Sequence, residues 1–80
     1  MRRLKVLSGE DVIKILGSFN FEKVGQKGSH VKLRRIIDGR HQTLTIPNHA
    51  ELDKGTIRAI FSQASKYVSE TELISHFYNK

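Results

Sequence analysis

The chain reads as an α+β fold in the order helix, three antiparallel strands, helix, short helix. Three observations predict this. Apolar residues at helical spacing (Val12, Ile15, Leu16, Phe19) give way to alternation between residues 29 and 46 and then return to helical spacing at Ile57, Ile60, Phe61 and Ala64. Asp38-Gly39, the dipeptide that a two-residue hairpin requires, separates two alternating runs. With 80 residues, 38% of them hydrophobic, one small core is feasible. A two-domain enzyme with a deep cofactor cleft is excluded.

Each element has its own signal. Ser8 is a helix cap, with Asp11 three residues on in the place of the usual capping-box Glu. Asn20 tolerates the left-handed conformation that stops the first helix, and Phe21 packs behind it. Residues 22–26 form a short strand, and Lys27-Gly28 turns the chain. From Ser29 to Ile37, Val31 and Leu33 alternate with His30, Lys32 and Arg34, a half-buried strand with those three polar side chains in solvent. Leu44 and Ile46 point inward in the next strand, Thr43 and Thr45 outward, and Pro47 ends it. Asp53 or its neighbours start the second main helix. Ser69-Glu70-Thr71-Glu72 reads as a capping box for the last one, with Leu73, Ile74 and Phe77 facing inward. A meander with both main helices on one face is the economical packing, leaving the other face wet. No linker or repeat interrupts the chain, so residues 1–80 read as one domain.

Lys and Arg number 14 against 8 Asp and Glu, a net charge of +6. That excess on a small body favours a polyanionic partner, most often nucleic acid. The absence of cysteine removes disulfides, thiolate nucleophiles and Cys-based zinc sites. The longest apolar run is Ala59-Ile60-Phe61, and the basic start has no apolar run of signal-peptide length. The expected location is the cytoplasm.

His30 is the residue that best fits chemistry. It follows a tight Lys27-Gly28-Ser29 turn and opens the central strand among Lys27, Lys32, Arg34, Arg35 and Arg40. An imidazole can accept a proton near neutral pH, and the cations can hold a phosphodiester beside it. In RNA the adjacent 2′-hydroxyl supplies the proton and becomes a nucleophile without a metal. A lone surface histidine of no consequence is the competing reading. His49 is open between a second acid–base group, a phosphate contact and a loop residue bonded to backbone. His41 reads as exposed and His76 as partly packed. The spacing of the four histidines matches no metal motif, so no metal is expected. Phosphate-binding glycine loops and serine-nucleophile motifs are absent, and no small-molecule cofactor is expected. Leu33-Arg34-Arg35-Ile36 reads as a solvated strand edge that also tracks a nucleic-acid backbone. Phe19, Phe21, Phe61 and Phe77 read as core.

Gly25-Gln26-Lys27-Gly28-Ser29-His30, a hairpin, Thr45-Ile46-Pro47-Asn48-His49, then Lys54-Gly55-Thr56-Ile57-Arg58-Ala59-Ile60 and Gln63-Ala64 together resemble the HicA (YcfA-like) toxin family. Leu7-Ser8-Gly9 and Val12-Ile13-Lys14-Ile15-Leu16 match its first helix, so the resemblance spans about residues 3–77. It implies a double-stranded-RNA-binding-domain-like α-β-β-β-α fold. It also implies a metal-independent endoribonuclease that cleaves mRNA and blocks translation, with His30 catalytic. A HicB-type antitoxin protein is the implied partner. Lys27, Gly28, Ser29, Lys32, Arg34 and His49 are the expected RNA-binding residues. The family often has a glycine before the aromatic that closes helix one, where this chain has Asn20-Phe21. A non-catalytic RNA-binding module of the same fold is the alternative, and a partner-only interaction protein is a third class.

Overall fold

The computed structural model describes residues 2–79. Met1 and Lys80, the outermost residues of the domain read as 1–80, lie outside the described residues. The elements are β1 (Arg3–Leu4), α1 (Gly9–Gly17), β2 (Glu22–Lys27), β3 (His30–Ile37), β4 (Arg40–Pro47), α2 (Lys54–Ala64), α3 (Glu70–Phe77) and β5 (Tyr78–Asn79). The expected α-β-β-β-α order is present, with an antiparallel sheet in the order β2-β3-β4.

Local chemistry accounts for the boundaries. The Ser8 hydroxyl accepts from the Asp11 amide at 3.0 Å, and the Asp11 carboxylate accepts from the Ser8 amide at 2.9 Å. This is the reciprocal box expected at the start of α1. Asn20 takes φ +74° and ends the helix. The Phe21 amide then reaches the Leu16 carbonyl and the Asn20 amide the Gly17 carbonyl, the paired bonds of a Schellman stop. Both hairpins have two-residue loops. Asp38 and Gly39 both have positive φ, the pattern of a type I′ turn, whereas in the first loop only Gly28 does, the pattern of type II′.

Alternation sets the two faces of the sheet. Val31, Leu33, Leu44 and Ile46 are buried and meet Val12 and Leu16 of α1 and Ile57, Ile60 and Ala64 of α2 in one core. His30, Lys32 and Thr45 stand exposed on the opposite face. β2 holds its register only up to a bulge between Lys23 and Gly25, which twists this edge strand.

Two features depart from the sequence reading. The capping box at Ser69 does not form: the Ser69 side chain makes no cap bond, and its backbone carbonyl accepts from the Glu72 and Leu73 amides instead. A second, two-stranded sheet joins the ends of the chain, Arg3 opposite Asn79 and Leu4 opposite Tyr78. Strands of two residues carry no period for a sequence to show. Phe61 makes edge-to-face contacts with Tyr78 at 5.4 Å and Phe77 at 5.5 Å, which ties this ribbon to α2.

Candidate functional site

β3 projects His30, Lys32 and Arg34 from one face because side chains alternate along a strand. Cross-strand register adds to this face. His30 lies opposite Lys27 on one side and Pro47 on the other. Lys32 lies between Gly25 and Thr45, and Arg34 between Glu22 and Thr43. Three cations therefore share the face of His30, and the acid Glu22 stands only at the Arg34 end. Arg40 lies at the far end of β3, about 23 Å from His30 at strand rise, and His41 is exposed beside it.

The turn that delivers His30 is held from several sides. The Gln26 side-chain amide donates to the Gly28 carbonyl at 3.0 Å, and Lys23 Nζ steadies that Gln26 at 2.7 Å. The Asn48 amide donates to the Ser29 carbonyl at 2.7 Å. The Ser29 hydroxyl and His49 Nε2 are hydrogen-bonded at 3.3 Å. So the loop after β4 grips the residue next to His30. The imidazole of His30 stays exposed, with no hydrogen-bond partner among the described residues.

That loop is in turn fixed by the start of α1. The Gly9 amide donates to the His49 carbonyl at 2.9 Å, and the Leu52 amide to the Leu7 carbonyl at 2.9 Å. Gly9 is buried so closely that a Cβ there would lie 2.6 Å from Asn48 Cα and closer still to the Pro47 carbonyl. The sequence reading saw Gly9 only as part of a helix start. Gly9, Gln26 and Asn48 hold the His30 turn, and their signal in the sequence is their place in the motifs Leu7-Ser8-Gly9, Gly25-Gln26 and Pro47-Asn48.

Asp53 caps α2 by accepting from the Thr56 amide at 2.7 Å. That amide above all, with smaller help from the Gly55 amide and from the charge of His49, holds its carboxyl below the usual 3.8. Asp11 is held below the same value, chiefly by the Ser8 amide.

Arg35 corrects the sequence reading. It does not share the solvated edge with Arg34. It turns to the core side, where Nη1 donates to the Phe19 carbonyl at 2.9 Å, Nη2 to the Tyr67 carbonyl at 2.6 Å and Nε to Gln42 Oε1 at 2.5 Å. Its guanidinium lies 4.9 Å from the centre of the Phe21 ring. The two carbonyls follow the C-terminal ends of α1 and α2, where backbone acceptors are left over and the helix dipole is negative. One cation thus serves both helix ends.

Among the described residues no group of three His, Asp or Glu side chains is placed to hold a metal ion, and no helix is long and apolar enough to cross a membrane. A family profile described as the HicA toxin of bacterial toxin-antitoxin matches residues 9–65, well over half of the 80-residue chain. The chain belongs to the HicA toxin family. No curated protein and no solved structure gives a match. In this HicA toxin the matched span runs from Gly9 through the His30 turn and the 48–53 loop to the end of α2. The parts of the fold that build the His30 face are therefore the parts the family shares. The β1–β5 ribbon and α3 lie outside that span.

Proposed function

We propose that this HicA toxin is an endoribonuclease that cleaves mRNA without a metal ion and so blocks translation in the cytoplasm. The observation that carries the reading is His30, exposed on the open face of the sheet in a turn held by Gln26, Asn48 and His49, with Lys27, Lys32 and Arg34 on the same face. An open, basic, flat face suits an extended polymer better than a small molecule.

Single-stranded RNA lies along β3 with its phosphates against Lys27, Lys32 and Arg34. His30 takes the proton of the 2′-hydroxyl. The 2′-oxygen attacks the adjacent phosphorus, the bond to the 5′-oxygen breaks, and that oxygen leaves with a proton from water. The products are a 2′,3′-cyclic phosphate and a 5′-hydroxyl. The cations stabilise the extra charge on the phosphorane oxygens. Gly28 lets the backbone approach the RNA closely, and Ser29 and His49 contact the phosphate at the turn. A HicB-type antitoxin restrains the toxin by covering this face.

Purified chain on single-stranded RNA tests the proposal. Cleavage should persist in EDTA and fall by about 10²–10⁴-fold in His30→Ala, the usual worth of a positioned base. Mapped ends should be cyclic phosphates, and a direct 5′-phosphate product excludes the 2′-hydroxyl as nucleophile. Salt-sensitive binding by folded chain with no cleavage would replace this reading with the binding module.

A further inference from the structure

A second basic surface lies away from the His30 face. Arg2 and Arg3, with Lys54 and Arg58 of α2, line a cleft of about 540 Å³ together with Val6 and Asn79. No carboxylate lines it. All four cations are exposed, and Val6 is 76% exposed, the most exposed large apolar side chain described.

Folding alone does not favour this cluster. Lys54 and Arg58 stand four residues apart on one helix face, where like charges repel. Lys54 opens α2, at the end where the helix dipole disfavours a cation, and the acid at that end is the Asp53 cap, whose carboxylate is engaged by the Thr56 amide. The first turn of α1 follows the rule, with Glu10 and Asp11. The β1–β5 pairing then brings Arg3 beside Asn79 into the same cleft. Arg2 also borders a neighbouring hollow with Glu70, so Arg3, Lys54 and Arg58 are the cations that line this cleft alone. Local rules broken together at one exposed place point to a ligand.

The cleft also connects to the His30 face through the chain. Ser29, next to His30, is hydrogen-bonded to His49. The loop from His49 runs to the Asp53 cap and directly into Lys54. The Leu52–Leu7 backbone bond fixes the segment entering from β1 against this loop. Lys54 is the next cation along the chain after His49, with the acids Glu51 and Asp53 between them.

We propose that the cleft between β1 and the exposed face of α2 is a second phosphate-binding site, which holds the RNA backbone beyond the cut site. The proposal rests on the RNA-cleaving reading above. Arg3, Lys54 and Arg58 take successive phosphates there, and Val6 lies against a ribose or base. This contact reads no sequence. It raises the affinity of long RNA over short.

The test uses the His30→Ala chain, so that bound RNA stays intact, with labelled single strands of about 4 and about 16 nucleotides, the range one small nucleic-acid-binding fold covers. In Lys54→Gln/Arg58→Gln on that background, the salt slope for the long strand should fall by about 1.4, at about 0.7 per phosphate on single strands. Near 0.1 M salt this corresponds to roughly 25-fold weaker binding. Affinity for the short strand should change less than about twofold. The charge-matched control Lys14→Gln/Lys66→Gln should lose much less affinity for the long strand. Equal loss in the control would reduce the effect to net charge and overturn the site. Unchanged long-strand binding would also overturn it and leave an acidic protein segment as the ligand class for the cleft. If no version of the chain binds either strand, the RNA reading itself fails, and the cleft proposal with it.

Discussion

Arg34 and Arg35 are neighbours of one residue type, and they belong to two different regions. Arg34 stands on the outer face with Lys32 and His30, opposite Glu22 and Thr43. Arg35 lies between the sheet and the helix ends, with all three kinds of guanidinium nitrogen bonded to protein. The outer face keeps its cations in water, where they cost little and are free to meet phosphate. The inner junction holds its cation among carbonyls, where losing it strands several acceptors. Basic charge alone therefore does not say which cations are available to bind. What a cation bonds in the fold decides whether it is available.

The comparison can be broken in several ways. His30→Ala is expected to have the largest effect on function, and it should leave the urea midpoint unchanged, because the exposed ring bonds nothing among the described residues. A shift in stability comparable to a core mutation would move His30 to the structural side.

Arg35→Met should cost the most stability, about 3 kcal/mol, since it leaves the Phe19 and Tyr67 carbonyls and Gln42 without their donor. Arg34→Met should stay within about 0.5 kcal/mol. Urea unfolding of the two variants side by side is the measurement, and equal losses would erase the distinction between the regions.

Gly9→Ala sharpens the comparison from a third place. The added methyl forces the 47–49 loop away from α1, at a cost of about 1–3 kcal/mol for an overpacked site. Because that loop grips Ser29, cleavage should fall by more than the population of unfolded chain explains. Activity per folded molecule equal to wild type would show that the loop does not position His30.

Lys32→Gln should weaken single-strand RNA binding about fivefold near 0.1 M salt and reduce the salt slope by about 0.7, with no change in stability. A loss that does not depend on salt would argue against a phosphate contact.

The smallest effect concerns the helix caps. The Asp11 and Asp53 carboxyls are held below their usual 3.8 in the folded chain. Their contribution to stability is thus complete above that value and is lost as pH falls below it, through the lowered folded value. Between neutral pH and pH about 3, the wild type should lose more stability than Asp11→Asn/Asp53→Asn. Equal losses would show that the caps work without charge.

Sequence by itself determined the order of elements from α1 to α3, because period, caps and turn residues are local properties. Ser8 with Asp11, Asn20, Asp38-Gly39 and Asp53 each do in the fold what their chemistry requires. It also fixed which face of β3 carries His30, since alternation along a strand leaves no other choice. The family motifs singled out His30, but their spacing could not show how Gln26, Asn48 and His49 hold its turn. At Ser69 the box does not form, and the Glu72 amide that the hydroxyl would engage bonds the Ser69 carbonyl. Only the tertiary structure decided the role of Arg35, the close approach of Gly9 to the 47–49 loop, and the gathering of Arg3 with Lys54 and Arg58. The physical reason is range. Arg35 reaches a carbonyl 32 residues away and Gly9 meets a loop some 40 residues on, and no local period encodes contacts at such separations.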